Sequence, residues 1–537
     1  MILDLDQDRS LDPARVGFKA AWLARGRRAG LPVLPGFVVE GWLSRALMRI
    51  GAAALDERGS GGARLQMGGY PVPFAADLVE RGVKLGDSLV ARSSTTLDET
   101  AGWAGVFTSY VDLTPDDLPK AVTGCWASAF TVAALELQRQ ASIGAGSLLV
   151  SVLVQPALRP VAGGIATVDG ESRIVVEGVK GPPAPLLQGW SRGQRATWDG
   201  GWDDGPLLES LGTDDLDRIA EVMSEANRLL GATRCEWAID DGLWILQLGR
   251  PTLETEPMSS VIGLSDPRLI AIARLLARAP GALGEELVLP WALGGLPETG
   301  SPLEEPPGVL LDEARSLCRE LTSGVWGLPA NRAMEAATAT LASLRGADPA
   351  TALVSIEALR PPDPGLAGAL LRRLDGLRMV VTEQGLAPDP VSAWHLSVAD
   401  IESSLTGAPR RPKMRVGLGH WEPFLVSVVL GTGTPRTGTP AAPGFGAGLR
   451  VEVRGEPERI PPRSVVNAAM PLPHLAPLLW DCSGLVTESG SPAAHLIDSA
   501  RSLGVPAVCG VTLGRGDDLV ALDGSTGTVA TLSLEAA

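Results

Sequence analysis

The chain has 537 residues, 45% apolar and 20% charged, which excludes a single small module and wholesale disorder and predicts about three or four domains at roughly 100 to 200 residues each. Its 46 Lys and Arg against 62 Asp and Glu leave a formal net charge of −16, which opposes any broad nucleic-acid or anionic-membrane surface while allowing a local cationic pocket. Five widely spaced cysteines without a Cys-x-x-Cys pair, three aspartates in the opening MILDLDQDRS, and no apolar run near ~18 residues predict no disulfide framework, structural zinc site, secretory leader or membrane span, and hence a cytoplasmic protein.

From 13 to 40, PARVGFKAAWLARGRRAGLPVLPGFVVE reads as a glycine turn, a helix ending at Gly30, and a strand entered through Pro35 and Gly36. SLVARSSTTLDET at 88–100 is a short apolar strand running into a hydroxyl-rich loop, and GWAGVFTSYVDL then alternates like a strand. LLVSVLVQPAL at 148–158 has the pattern of a buried strand, and EWAIDDGLWILQLGRP at 236–251 that of a hairpin turning at Asp240-Asp241-Gly242. Residues 257–393 change to helical periods such as DPRLIAIARLLARA, with few strand runs. GTGTPRTGTPAAPGFGAG at 431–448 has the composition of a mobile connector and predicts a hinge. Beyond it, VVNAA, GLVTE, PAVCGV and a terminal hairpin LVALDGSTGTVATL surround a helix placed after Ser491, giving a compact β/α domain.

The sharpest chemical feature is TESGSPAAHLIDSARSLGVPAV at 487–508. Ser491 suits an N-cap and Pro492 the first helical position, so His495 falls in the first turn. The positive end of the helix dipole there favours a neutral, nucleophilic imidazole and would stabilise a phosphoryl group on it; position alone favours a polar partner near a helix end. Asp498, three residues on, shares the histidine's face and would either fix the ring's tautomer or repel a bound phosphoryl group. Arg92 ends an apolar strand, a good place for bidentate phosphate contact, although Lys19 or Arg92 taken alone also suits a solvated surface charge.

GLVTESGSPAAHLIDSARSLGVPAVCGV resembles the phosphohistidine domain shared by phosphoenolpyruvate synthase, pyruvate phosphate dikinase and rifampin phosphotransferase, matching at Thr487, Gly490, His495, Ala500, Arg501 and Pro506 and departing at Ser491, Ala494 and Leu496-Ile497-Asp498. VGFKAAWLARGRRAGLPVLPGFVV and LVARSSTTLDETAGWAGVFTSY are similar to that family's ATP-grasp-like nucleotide-binding domain, with Lys19 and Arg92 at phosphate-contacting positions and Phe18 replacing a glycine. CEWAIDDGLWILQLGRPT resembles its closing hairpin, which implies Glu236 and Gln247 as magnesium ligands and Arg250 as a nucleotide-binding arginine displaced by Gly249. The displacement flips the face of Arg250 unless a glycine bulge restores it. EGVKGPPAPLLQG at 177–189 keeps glycines of the family's loop but has prolines where a loop acid is expected. AWHLSVADIESSLTGAPRR at 393–411 and GTPAAPGFGAGLRVEV resemble segments around the start of the histidine domain in the rifampin phosphotransferase branch.

The resemblance implies a multidomain α/β chain: an ATP-grasp-like nucleotide-binding domain (1–255), a mostly helical acceptor-binding domain and linker region (256–430), a hinge (431–448) and a swivelling phosphohistidine domain (449–537). No carboxyl-terminal pyruvate-binding barrel like that of the longer enzymes is expected, and pyruvate is therefore not the expected acceptor. The implied activity uses ATP and Mg2+, with His495 carrying a phosphoryl group to a small-molecule hydroxyl, an antibiotic or other secondary metabolite being the class suggested, and with AMP and phosphate released. His395, His420 and His474 lie in no matching motif and are expected to be structural. Two other readings remain: a phosphorelay protein donating to a partner protein, and a degenerate nucleotide-binding module without turnover.

Overall fold

Strand-period alternation in the first 250 residues builds two five-stranded antiparallel sheets. The first runs Ile2–Asp4, Phe37–Val39, Ser151–Pro156, Leu89–Ser94 and Ser109–Leu113; the second runs Leu243–Gly249, Arg234–Ile239, Ala162–Val168, Ile174–Lys180 and Gln194–Trp198. The computed structural model describes residues 1–534 apart from 101, 104, 169–172, 204, 251–265, 279–280, 295–300, 346–348, 388, 391, 407–420, 456–459 and 462. Successive side chains of the central strand Ser151–Pro156 serve different cores, as a period of two requires. Leu153 packs with the helix Pro13–Arg28 and the second sheet, whereas Val152 and Val154 pack with Trp126 and Phe130.

Nine α-helices, among them Pro267–Arg278, Pro307–Trp326, Ala330–Arg345, Pro364–Glu383 and Glu422–Thr432, lie between the second sheet and the last one among the described residues. Asp363 caps the fourth of these through Leu366 N–H, with Pro364 at its first position, and Gly327 ends the second in the left-handed region. His395 is buried within this unit, His474 lies on the short helix Pro473–Trp480, and His420 falls outside the described residues.

The last unit is an eight-stranded sheet ordered Thr434–Thr437, Thr528–Leu532, Leu519–Asp523, Phe445–Val453, Val465–Ala468, Gly484–Thr487, Ala507–Cys509 and Thr439–Ala442. Its three neighbouring pairs from Phe445–Val453 through Ala507–Cys509 are parallel and the rest antiparallel. This corrects the hinge expected at 431–448. That segment supplies the end of a helix, both edge strands and the start of a central strand, so the unit begins before 449.

The composition that suggests a linker has another cause. Pro435 and Pro440 sit on edge strands, where a missing N–H need not break a ladder. The glycines allow close backbone approach: a Cβ on Gly446 would stand 1.9 Å from Ser483 O, and one on Gly448 2.1 Å from Arg463 O.

The helical unit is also continuous with this sheet. The helix Glu422–Thr432 buries Phe424, Leu425, Val426, Val428 and Val429, and one core joins them to Leu269 and Leu276 on one side and to Ala447, Leu519, Ala521 and Ala530 on the other. Arg274 adds a hydrogen bond to Ser533 O at 2.9 Å. No helix among the described residues is long and apolar enough to cross a membrane.

Close packing at the former linker glycines gives a stability prediction. Gly446→Ala should lower the unfolding free energy of the C-terminal sheet by about 1 to 3 kcal/mol, the usual scale of overpacking. Gly455→Ala, with open space around it, should have little effect. Urea denaturation followed by tryptophan fluorescence compares the two, and equal stabilities would contradict the tight-strand assignment.

Candidate functional site

The site starts from a glycine that lets a helix touch a strand. Gly17 has φ 77° and ψ 165°, and a Cβ there would lie 2.3 Å from Ser94 C and 2.4 Å from Thr95 N. Without one, Phe18 N–H reaches Thr95 O at 2.9 Å and Ala20 N–H reaches Ser94 Oγ at 3.1 Å. This contact brings Lys19 over the end of the strand, with its Nζ 3.3 Å from Oδ1 of the buried Asp98. Asp98 accepts in turn from Thr95 N–H at 2.8 Å and Thr95 Oγ1 at 3.1 Å. Lys19 is therefore a partnered cation rather than a solvated surface charge.

The second sheet supplies the facing wall. Glu236 and Gln247 are direct partners across the hairpin, so their side chains share a face. The register slips between Ile245 and Gln247, leaving Leu246 as an extra residue, and its carbonyl accepts from Arg92 Nη1 at 2.8 Å. That bond ties the two sheets together and fixes the guanidinium. Burial lowers the pKa of Arg92, against the opposing pull of Glu236.

No bulge at Gly249 restores the face of Arg250, since Gly249 pairs regularly with Arg234. Arg250 nevertheless lines the site because the strand ends before it, and its N–H donates to Glu99 Oε1 at 3.1 Å. Glu99 also accepts from Trp22 Nε1.

His495 closes the site from the last unit. The helix runs His495–Ser502, so Ala494 occupies the N-cap position expected for Ser491, and the histidine is the first helical residue. Ser491 instead organises the preceding turn, accepting from Ala493 N–H at 2.9 Å and donating to the buried Glu177 of the second sheet. Burial raises the pKa of Glu177, with the Ser491 hydrogen bond opposing.

Gly105, at φ 71°, lies against the imidazole, where a Cβ would meet His495 Cβ at 2.8 Å and Cδ2 at 2.9 Å. Burial pushes the imidazole pKa down to about 4; Glu236 works against this shift, while Arg234 and Lys19 add to it. At neutral pH the ring is therefore neutral, with a lone pair for attack. Asp498 meets two guanidinium groups, Arg501 Nη1 at 2.7 Å and Arg234.

Lys19, Arg92, Glu236, Gln247, Arg250 and His495 thus line a single cavity of about 920 Å3, in the size range of small-ligand sites. Phe18, Phe107, Leu158, Pro183 and Trp190 supply apolar parts of its wall. No cluster of three or more His, Cys, Asp or Glu side chains suited to a metal ion occurs among the described residues. Glu236 and Gln247 offer two oxygen donors, a set that suits a magnesium ion whose other ligands are phosphate oxygens and water. Sequence reasoning missed Arg234, Glu177 and Gly105. Only Arg234 carried a local signal, because two residues before Glu236 on a strand is the same face.

Residues 460–527, which include the histidine helix, match the family model described as PEP-utilising enzyme, mobile domain. The chain is also 26% identical over 306 residues to the prodigiosin synthesizing transferase PigC of Serratia marcescens, a match covering 48% of this chain and 34% of that protein. The chain thus spans about a third of the length of that curated relative. Both findings are a likeness to PEP-utilising enzymes, carried for the last unit by the mobile-domain match; they do not distinguish the rifampin phosphotransferase branch.

The depressed basicity of His495 predicts a pH effect. Its neutral form is favoured in the docked structure, so this contribution to docking is complete above the ordinary imidazole pKa of 6.5 and is lost as pH falls from there towards about 4. Carbon-13 labelling of histidine and NMR titration should show His495 untitrated at pH 5.5. A His495 midpoint near 6.5 would contradict the buried position.

Proposed function

We propose that this chain is a dikinase-type phosphotransferase whose first unit is an ATP-grasp-like nucleotide-binding domain. The observation that carries the reading is the opening of His495, at the start of its helix, into the same cavity as Lys19, Arg92, Glu236 and Gln247. The match of residues 460–527 to the mobile domain of PEP-utilising enzymes and the relative's description as a transferase support an enzyme of this type.

In this reading the substrate is ATP, and the cationic side chains Lys19, Arg92 and Arg250 hold its polyphosphate. Phosphoryl transfer depends chiefly on positioning and charge stabilisation, which such groups supply. Glu236 and Gln247 would hold the Mg2+, which neutralises phosphate charge when bound. The neutral imidazole of His495 forms a P–N bond as the P–O bond to the departing AMP breaks, and water accepts the remaining phosphoryl group as inorganic phosphate. A second transfer returns the imidazole and places the phosphoryl group on a small-molecule hydroxyl. The relative's description as a prodigiosin synthesizing transferase favours an acceptor from secondary metabolism. The helical unit is the proposed acceptor-binding element.

The test is incubation with ATP and Mg2+, followed by AMP quantification and intact mass. The expected outcome is acid-labile phosphate on the wild type and none on His495→Ala, with nucleotide affinity retained in the variant. Phosphate remaining on His495→Ala would overturn the assignment. Lys19→Ala and Arg92→Ala should each weaken nucleotide binding or His495 phosphorylation by about tenfold or more, since each removes a charge-assisted contact of ~1.5 to 3 kcal/mol. Unchanged affinity and unchanged phosphorylation in both variants would refute their roles.

A further inference from the structure

The histidine helix meets the nucleotide unit through a buried charge arrangement that the reaction scheme leaves unused. Arg234, on the strand Arg234–Ile239, is 8% exposed, and Asp498, one turn after His495, is 5% exposed. Arg234 Nη1 pairs with Asp498 Oδ2, while its Nη2 lies 3.5 Å from Glu236 Oε1. One guanidinium therefore bridges a carboxylate of the nucleotide wall and a carboxylate of the histidine helix. Both Arg234 and Asp498 line the cavity into which His495 opens.

We propose that Arg234 is the positioning residue of the histidine step, holding the His495 helix against the nucleotide cavity through Asp498. This rests on the phosphohistidine reading above and adds a residue to it. A fork-shaped cation suits the task, because it satisfies two carboxylates at once in fixed directions, which the point charge of a lysine does less well. Burial sharpens the dependence, since removing one partner leaves the other charge in a poorly solvated site.

The contact is also specific to the docked arrangement, whereas the other partner of Asp498 belongs to its own helix. Arg501 keeps hydrogen bonds to Ala441 O at 2.9 Å and Pro492 O at 2.7 Å whether or not Asp498 is charged. Asp498→Asn consequently isolates the Arg234 bridge while leaving the local helix anchored.

The bridge has a further consequence for the cycle. A phosphoryl group on His495 brings negative charge to a place where Asp498 and Glu236 already share one guanidinium. The Arg234–Asp498 contact is then weakened by competition, so the neutral imidazole docks more tightly than the phosphohistidine.

Arg234→Gln, Arg234→Lys, Asp498→Asn and the double variant Arg234→Gln/Asp498→Asn test this in the full chain. The five native cysteines are buried, so dyes on cysteines introduced at the exposed Lys84 and Arg515 report docking by energy transfer without competing labels. Expected are reduced transfer efficiency in Arg234→Gln, partial recovery in Arg234→Lys, the same loss in Asp498→Asn, and no additional loss in the double variant, as coupled partners require. The His495 phosphorylation rate should fall by about tenfold or more with nucleotide affinity changed by less than about twofold, since a lost orientation affects the transfer step rather than binding.

Wild-type energy transfer in Arg234→Gln, or fully additive losses in the double variant, would overturn the proposal, as would a loss of nucleotide affinity equal to the loss of rate. If the wild type forms no phosphohistidine, the functional reading fails, while coupled loss of docking in the variants still upholds Arg234 as the docking residue.

Discussion

The site depends on bringing an imidazole from the last unit against a wall of the first with no side chain between them. Gly105 meets this constraint: its missing Cβ is the space that the His495 ring occupies. Around that contact, Ser491 donates to Glu177 and Arg234 pairs with Asp498, so the approach is fixed from both sides of the histidine helix. Covalent transfer requires reacting atoms within about 3 to 3.5 Å, and a few missing or misplaced atoms at this interface decide whether that is attainable.

Electrostatics reconcile an acidic chain with the anionic substrate proposed for it. The whole chain carries a net charge of −16, yet the cavity gathers Lys19, Arg92 and Arg250 beside Arg234, whose charge is taken up by Asp498 and Glu236. Each has a local partner: Asp98 for Lys19, the Leu246 carbonyl for Arg92, Asp498 and Glu236 for Arg234, and Glu99 through the backbone of Arg250. Arg234, the buried one, needs such partners, whereas Arg250 is exposed and is held at its backbone only. The same burial that lowers Arg92 keeps His495 neutral, so one low-polarity environment acts on both the proposed phosphate-binding arginine and the proposed nucleophile.

The shared core of the helical unit and the last sheet changes which parts move together. Glu422–Thr432 buries apolar residues against both, leaving no independent joint at 431–448. In the proposed cycle, motion of the histidine relative to the nucleotide unit carries the helix Glu422–Thr432 with it, because separating the two would expose that helix's apolar surface to water. The contacts available to open are the smaller ones at the nucleotide face, polar pairs such as Ser491 with Glu177 together with apolar contacts such as Ala493 against Ile165 and Leu186.

Sequence alone determined the local elements and their chemistry. Alternation and turn residues located the strands carrying Arg92, Glu236 and Gln247, and the motifs singled out Lys19, Arg250 and His495, all of which meet at one cavity. These features were legible because each depends on a few neighbouring residues: a strand places every second side chain on one face, and a proline or glycine punctuates a helix. Composition misread 431–448, since Gly, Thr and Pro suit both a free linker and edge strands that approach other backbone closely, and only the neighbours Ser483, Arg463 and Cys509 distinguish the two. The tertiary structure alone decided that Ser491 serves Glu177 rather than capping the helix, that Arg250 reaches the cavity without a compensating bulge, and that Arg234 bridges to Asp498. Those pairings join segments far apart in the chain, and their energy comes from mutual burial, which exists only once the units have packed together.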